Sequence, residues 1–573
     1  MKRHHLALVG AACLIAPLAA ACGNGTTTNA KTTSLPTTAV VALPLQTSPD
    51  WFFPVLASSG YYDTNTQMYS LMYMPLVFFN SQDAVDYSQS LAQKIDTNST
   101  GTVYTIHLNP KWKWSNGQPV TAQDVLFTWN IMKAASGSAS NLPWQYGGAG
   151  AGGVPADFKS VTALNSHTVQ VTLTTPSNQT WFIHNGLGQL VVVPESVWNK
   201  YPNNMIQELT WIKSIANAPN NKAYSVIDGP YAFKSFTPNQ QWSFVKNPKF
   251  NGHQGTIKKI VFQYQTSAAS EFSALKNGTV QVGYLPAAMW DSRKSLTLDK
   301  FWPGYLWGFN MMRLDENATA QNGLGPSFAQ AYVRQAMEMG INQQQIINGI
   351  YHGEGVVEDG PVPSQPHTVY YDSAIAKPPY PYNPTAGKKL LEAHGWKDVN
   401  GVMTKNGVKL QFPLIYASGD QSITDTVQLI QQDWAKEGIK ITLQSMPFSS
   451  LVATDHGNPA NWDAAYWGAG WTYQPDFYPT GGELFKTGAA ADAGGYSSPT
   501  MDKLIQKSYL PGTVSQNMQA LFQYEAYAVK DVPYLWFPWM ANLNESASNL
   551  KGVASTFNPI EDLYMPNYWH YTK

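Results

Sequence analysis

Leu108-Asn-Pro-Lys-Trp-Lys-Trp-Ser-Asn-Gly-Gln-Pro-Val-Thr-Ala-Gln-Asp-Val-Leu-Phe-Thr-Trp-Asn130 leads from the end of a strand into a helix. The segment before it, Val103–Leu108, alternates, with Tyr104, Ile106 and Leu108 on one face, as a half-buried strand requires. Thr121-Ala-Gln-Asp124 then opens a helix like a capping box, and Val125, Leu126, Trp129 and Met132 follow at helical spacing.

The same grammar recurs along the chain. Thr168–Leu173 repeats the strand pattern with Val169, Val171 and Leu173. Asn383-Pro384 starts a helix with proline in its first turn, and Gly395 ends it. A strand over Lys409–Tyr416 precedes a helix with Ile423, Val427, Ile430 and Trp434 on one face. A second strand, Ile439–Leu443, follows directly. Such a βαβ unit implies a parallel sheet covered by helices. No repeat of solenoid period is present. The fold class is therefore mixed α/β, in more than one lobe.

Charged residues make up only 13% of the 573 residues, and the net charge is −1. No basic stripe exists to hold a nucleic acid, so that partner class is excluded. Nothing after residue 21 is apolar for long enough to span a bilayer. Instead the chain carries 20 Trp, 31 Tyr and 23 Phe, which suits a deep core and a cleft walled by flat, rigid side chains.

Both cysteines fall within the first twenty-two residues. Met1-Lys-Arg-His-His5 is a basic start, Leu6–Ala21 is apolar, and Leu18-Ala-Ala-Ala-Cys22-Gly23 offers the small residues of a cleavage site. Residues 1–21 read as a signal peptide. The small-residue run ending in Cys22 resembles a bacterial lipobox, which implies lipidation of Cys22 and anchorage at the outer face of the cytoplasmic membrane. Thr-rich residues 22–38 read as a flexible tether. Beyond Cys22 there is no thiol, hence no internal disulfide and no Cys-based site.

Motifs for chemistry are sparse. Gly148-Ala-Gly150-Ala-Gly-Gly153 has the letters of a dinucleotide fingerprint, but Pro143-Trp-Gln-Tyr146 before it is no clear strand and Pro155 opposes a helix after it; a flexible loop is expected. There is no G-x-S-x-G elbow and no phosphate loop. Histidines after the leader form no H-x-H or H-x-x-x-H pair, so no metal site is expected. No constellation supports catalysis, and neither an enzyme nor a cofactor is expected.

Six segments in order resemble the bacterial extracellular solute-binding proteins of family 5, the dipeptide- and oligopeptide-binding type that serves ABC importers. The opening stretch is similar to the family's strand, Asp/Asn-Gly turn and helix. Asp228-Gly-Pro-Tyr-Ala-Phe233 with Lys246-Asn-Pro248 resembles its Gly-Pro-Tyr strand and following turn. Ala274–Gly283, Val333–Gly353 and Tyr382–Trp396 resemble its next units, and Tyr496–Leu504 with Ala520–Pro533 its closing helices. The resemblance runs from about Val40 to Pro559. It implies two hinged lobes of the type II periplasmic-binding-protein kind (cluster C) with an inserted domain. Lobe I would be residues 39–77, 220–305 and 535–573, the inserted domain II 78–219, and lobe III 306–534. It also implies a monomeric receptor that closes on a ligand and docks on its membrane permease.

The resemblance further nominates ligand-facing residues. In relatives an extended segment near the N-terminus pairs with ligand backbone; here this is Ser59-Gly-Tyr-Tyr-Asp63, giving Tyr61 and Tyr62. The loop Pro143–Tyr146 gives Trp144 and Tyr146. Trp467-Gly-Ala-Gly-Trp471-Thr-Tyr-Gln474-Pro-Asp476 gives Trp467, Trp471, Tyr473, Gln474 and Asp476. Family members often read Gly-Trp-x-x-Asp-Tyr there, the Asp holding a peptide's α-amino group. Counted from Trp471, that position is Gln474, and Asp476 lies two places on. Glutamine hydrogen-bonds but carries no charge to pair with an ammonium. Peptide is the family default, a neutral solute such as an oligosaccharide fits Gln474 and the aromatic residues, and a nickel or metal chelate is the weakest third.

Overall fold

The strand-to-helix unit folds as read. In the computed structural model, which describes residues 35–137, 141–489 and 491–573, Val103–Leu108 is a strand with Tyr104, Ile106 and Leu108 buried. Gly117, with φ +91°, makes the turn. Helix Ala122–Ala135 starts at Thr121, whose backbone N–H donates to Asp124 Oδ2 at 2.8 Å. The leader, Cys22 and most of the expected tether lie outside the described residues.

Three sheets organise residues 36–573, which form one compact unit. A seven-stranded sheet runs in the order Asp299–Gly304, Asn542–Ala547, Val282–Tyr284, Thr38–Ala42, Lys259–Gln263, Gln241–Lys246, Tyr231–Thr237. Its central strand Thr38–Ala42 is parallel to both neighbours. A six-stranded sheet is built on Gly308–Leu314, buried along its whole length. The expected βαβ unit is in it: Gln411–Ala417 pairs in parallel with Lys440–Met446, and the helix Gln421–Glu437 between them buries Ile423, Val427, Ile430 and Trp434. A four-stranded antiparallel sheet orders Ala92–Thr97, Val103–Leu108, Thr168–Leu173 and Phe158–Asn165.

One boundary differs from expectation. Leu535–Phe537, assigned by resemblance to lobe I, pairs antiparallel with Asn310–Met312 in the six-stranded sheet. Its side chains are fully buried there, so the chain returns to the first sheet only after Phe537.

The chain thus passes between the two large sheets at residues 305–307 and again at 538–541. The two crossings are tied together, since Trp539 Nε1 donates to the Leu306 carbonyl at 2.8 Å. Short paired crossings are where a two-lobed fold can bend without disturbing either sheet. Among the described residues no helix is long and apolar enough to cross a membrane.

Candidate functional site

The segment Trp471–Phe477 forms a wall beside the crossings. Trp471–Thr472 pairs with Gly308 and Phe309. A Cβ on Gly308 would strike the Trp471 carbonyl, so only glycine permits this approach. Next to it, the Trp307 carbonyl accepts from Tyr473 N–H at 2.9 Å, and Trp307 Nε1 donates to the Phe477 carbonyl at 2.8 Å. The wall is therefore fastened to a crossing segment at both ends, and bending there would move it.

A cavity lies on each side. The polar one, about 1150 Å³ with its open mouth, takes Trp471, Tyr473, Asp476 and Glu483 from the six-stranded side. Facing them are Asp157, Trp181 and the glycine-rich loop at Gly150, Gly152 and Gly153. Burial first, then the neighbouring Glu483, pushes the Asp476 carboxyl well above its usual range, with the Gly152 N–H as a compensating donor. Burial also raises Glu483, against a lowering by Lys486, and raises Asp157. Buried carboxyls that repel one another favour any cation that enters.

The loop read as flexible is instead packed. Gly152, at φ +58°, lies so close to the Asn185 carbonyl that a Cβ would overlap it.

The second cavity, about 1020 Å³, is aromatic and apolar. Tyr61, Tyr69, Tyr146 and Phe250 line it, and Gln474, Pro475 and Phe477 close it from the wall. Tyr61 and Tyr146 meet edge to face at 6.5 Å, and Tyr146 Oη donates to Gln189 Oε1 at 2.7 Å. Among the described residues the one carboxyl in its lining, Glu561, accepts from Phe79 N–H at 3.0 Å and is pushed up to about 8 by burial.

Six of the nine nominated residues therefore line a cavity: Tyr61, Tyr146 and Gln474 the apolar one, Trp471, Tyr473 and Asp476 the polar one. Three line neither. Tyr62 precedes helix Asp63–Ser70 and turns its hydroxyl toward the Ser48 carbonyl. Trp144 is core: it packs edge-on to Trp51 at 5.2 Å, and its Nε1 donates to the Leu209 carbonyl at 2.9 Å. Trp467 covers the buried Arg313 guanidinium at 3.9 Å and donates to Asp455 Oδ2 at 2.7 Å. Gln474 and Asp476, two places apart, face different cavities.

Sequence reasoning passed over the contacts that join the two walls. Asn185 donates through Nδ2 to the Tyr478 carbonyl at 3.0 Å and accepts from Tyr478 N–H at 2.8 Å. Asn178 N–H donates to the Tyr509 carbonyl at 2.7 Å, and its side-chain amide donates to the Ser508 carbonyl at 2.9 Å. Phe79 packs on Phe477 at 5.2 Å. Both asparagines are buried; no local pattern marks an asparagine that reads a distant backbone. Asp157 and Glu483 were equally silent.

Residues 86–488 match the family described as bacterial extracellular solute-binding proteins, family 5 Middle. The oligopeptide-binding protein AppA of Bacillus subtilis is 24% identical over 537 residues, spanning 91% of this chain and 90% of that protein. The structure of that AppA in complex with a nonapeptide superposes with a TM-score of 0.71 at 21% identity, covering 94% of this chain and 99% of the other. NikZ from Campylobacter jejuni, solved with Ni(L-His), gives a TM-score of 0.71 at 18% identity, covering 93% and 100%.

Proposed function

Because the chain belongs to the bacterial extracellular solute-binding proteins of family 5, we propose that it captures a peptide between its two lobes and delivers it to the membrane permease of an ABC importer. The observation that carries the peptide reading is the position of Asp476. It stands in the polar cavity beside Glu483, flanked by Trp471 and Tyr473. A carboxylate in an aromatic cleft is a receptor for an ammonium, through charge-assisted hydrogen bonds and cation–π contact. Asp476, rather than Gln474, would hold the α-amino group. Gln474 faces the apolar cavity, whose tyrosines suit an apolar peptide side chain.

A neutral oligosaccharide would leave the acidic groups of the polar cavity without counter-charge, which is costly in a desolvated cleft. In this reading the protein binds and releases its ligand without turnover, and it works outside the cytoplasm as a monomer, tethered by lipid on Cys22. Residues 22–38 give it reach, residues 78–219 serve as the inserted domain, and the crossings at 305–307 and 538–541 serve as the hinge.

The test is a thermal-shift screen of the purified protein against tripeptides, their N-acetylated forms and oligosaccharides. Free-amino peptides should stabilise the protein, by about 2.7 kcal/mol at a hundredfold over Kd, and acetylated ones much less. Stabilisation by oligosaccharides alone would defeat the peptide reading.

A further inference from the structure

The polar cavity carries more negative charge than one amino terminus can neutralise. Asp157, Asp476 and Glu483 all line it, and among the described residues Lys486 is the one basic residue in its lining. Lys486 is exposed at the rim, while the three carboxyls are half-buried. Among the described residues, none of the three is in an ion pair. Asp476 and Glu483 come from one wall and Asp157 from the other, so cationic groups entering the cleft meet an acid on either side.

The aromatic groups point to the same kind of occupant. Trp471 and Tyr473 flank the acids from one wall, and Trp181 and Tyr509, one from each wall, meet edge to face at 4.8 Å at the cavity's border. Aromatic faces beside carboxylates favour ammonium and guanidinium groups that have shed water. With all three ionised, the carboxylates facing one lysine leave a double negative charge, and an entering cation favours that ionised form. An amino terminus alone halves it, and a basic first residue cancels it. The long apolar stem of such a residue would lie along the tryptophans while its head reaches the acids.

Resting on the peptide reading above, we propose that this cavity takes two cationic groups at once and that the protein selects peptides whose first residue is lysine or arginine. The α-ammonium sits on Asp476. The side-chain cation sits between Glu483 and Asp157, which become the specificity-determining residues.

Titration calorimetry on the purified protein tests this with Lys-Phe-Ala against norleucine-Phe-Ala, which keeps the stem and lacks the charge. The lysine peptide should bind about tenfold more tightly, the size of one added charge-assisted contact, and the ratio should shrink as salt is raised. In a Glu483→Gln, Asp157→Asn double variant of unchanged thermal midpoint, the ratio should fall to within about twofold. Equal affinity of the two peptides for the unaltered protein overturns the selection while leaving peptide capture standing. Binding of neither overturns both.

Discussion

Asn185 and Tyr478 clasp each other across the cleft, the asparagine amide satisfying both the N–H and the carbonyl of one tyrosine. The pair joins the wall that carries Asp476 to the helical turn Phe182–Gly186 on the opposite side. Because Asn185 is buried, Asn185→Ala leaves a peptide N–H and C=O without partners, at about 1–3 kcal/mol each. In the proposed hinge motion that cost falls on the closed state, since opening would return both groups to water. Ligand affinity should drop at least tenfold, or about 1.4 kcal/mol. X-ray scattering should show a larger radius of gyration for the ligand-free variant. An unchanged radius and unchanged affinity would remove Asn185 from the closure.

Asp476→Asn tests the charge directly. The variant keeps the shape and loses the counter-ion, so a free-amino peptide should lose ~10-fold or more in affinity while its acetylated form loses little. The unaltered protein should show a matching pH effect. Burial and Glu483 raise the Asp476 carboxyl, so protons compete with the ligand ammonium well above the usual carboxylate range. Affinity should fall as pH drops and be restored on return to neutral pH. A flat pH profile in the calorimeter would argue against an ammonium on Asp476.

Glu437 gives a stability prediction remote from the cleft. It ends helix Gln421–Glu437 fully buried, and among the described residues neither carboxyl oxygen has a hydrogen-bond partner. Burial, with help from Asp433, raises it from 4.5 to about 9. A raised acid holds its proton in the folded state and releases it on unfolding. Its contribution is intact below about pH 4.5 and is lost as pH climbs toward about 9. Glu437→Gln has no proton to lose. Its thermal midpoint should match the parent's near pH 5 and exceed it increasingly toward pH 8, by up to ~1.4 kcal/mol per pH unit. Parallel curves would contradict the raised titration.

Cys22→Ser concerns anchorage alone. The folded body, residues 36–573, contains no cysteine, so the substitution should leave its thermal midpoint and peptide binding unchanged. The protein should move from the membrane fraction to the soluble fraction. Retention of the variant at the membrane would rule out the lipid on Cys22.

Local sequence determined much of this protein. Alternation fixed Val103–Leu108 and Thr168–Leu173, the Thr121–Asp124 box started its helix, and the spacing of Ile423, Val427, Ile430 and Trp434 announced the buried face of Gln421–Glu437. These features depend on neighbours within a turn or a pleat, and a linear chain displays them openly. The segment Trp471–Asp476 could likewise be singled out, though not the direction each side chain takes.

Tertiary structure alone decided the rest. Trp467 and Trp471 are alike in sequence and both half-buried, yet Arg313 and Asp455 hold one against themselves while pairing with Phe309 leaves the other beside the cavity. Gln474 and Asp476 part to opposite sides of one wall, and Asp157, Asn178 and Asn185 reach the site from a separate sheet's surroundings. The Leu535–Phe537 strand joins the six-stranded sheet because its hydrogen bonds and burial are found there. Which cavity a side chain faces depends on partners hundreds of residues away, and packing chooses among them only once the sheets have met.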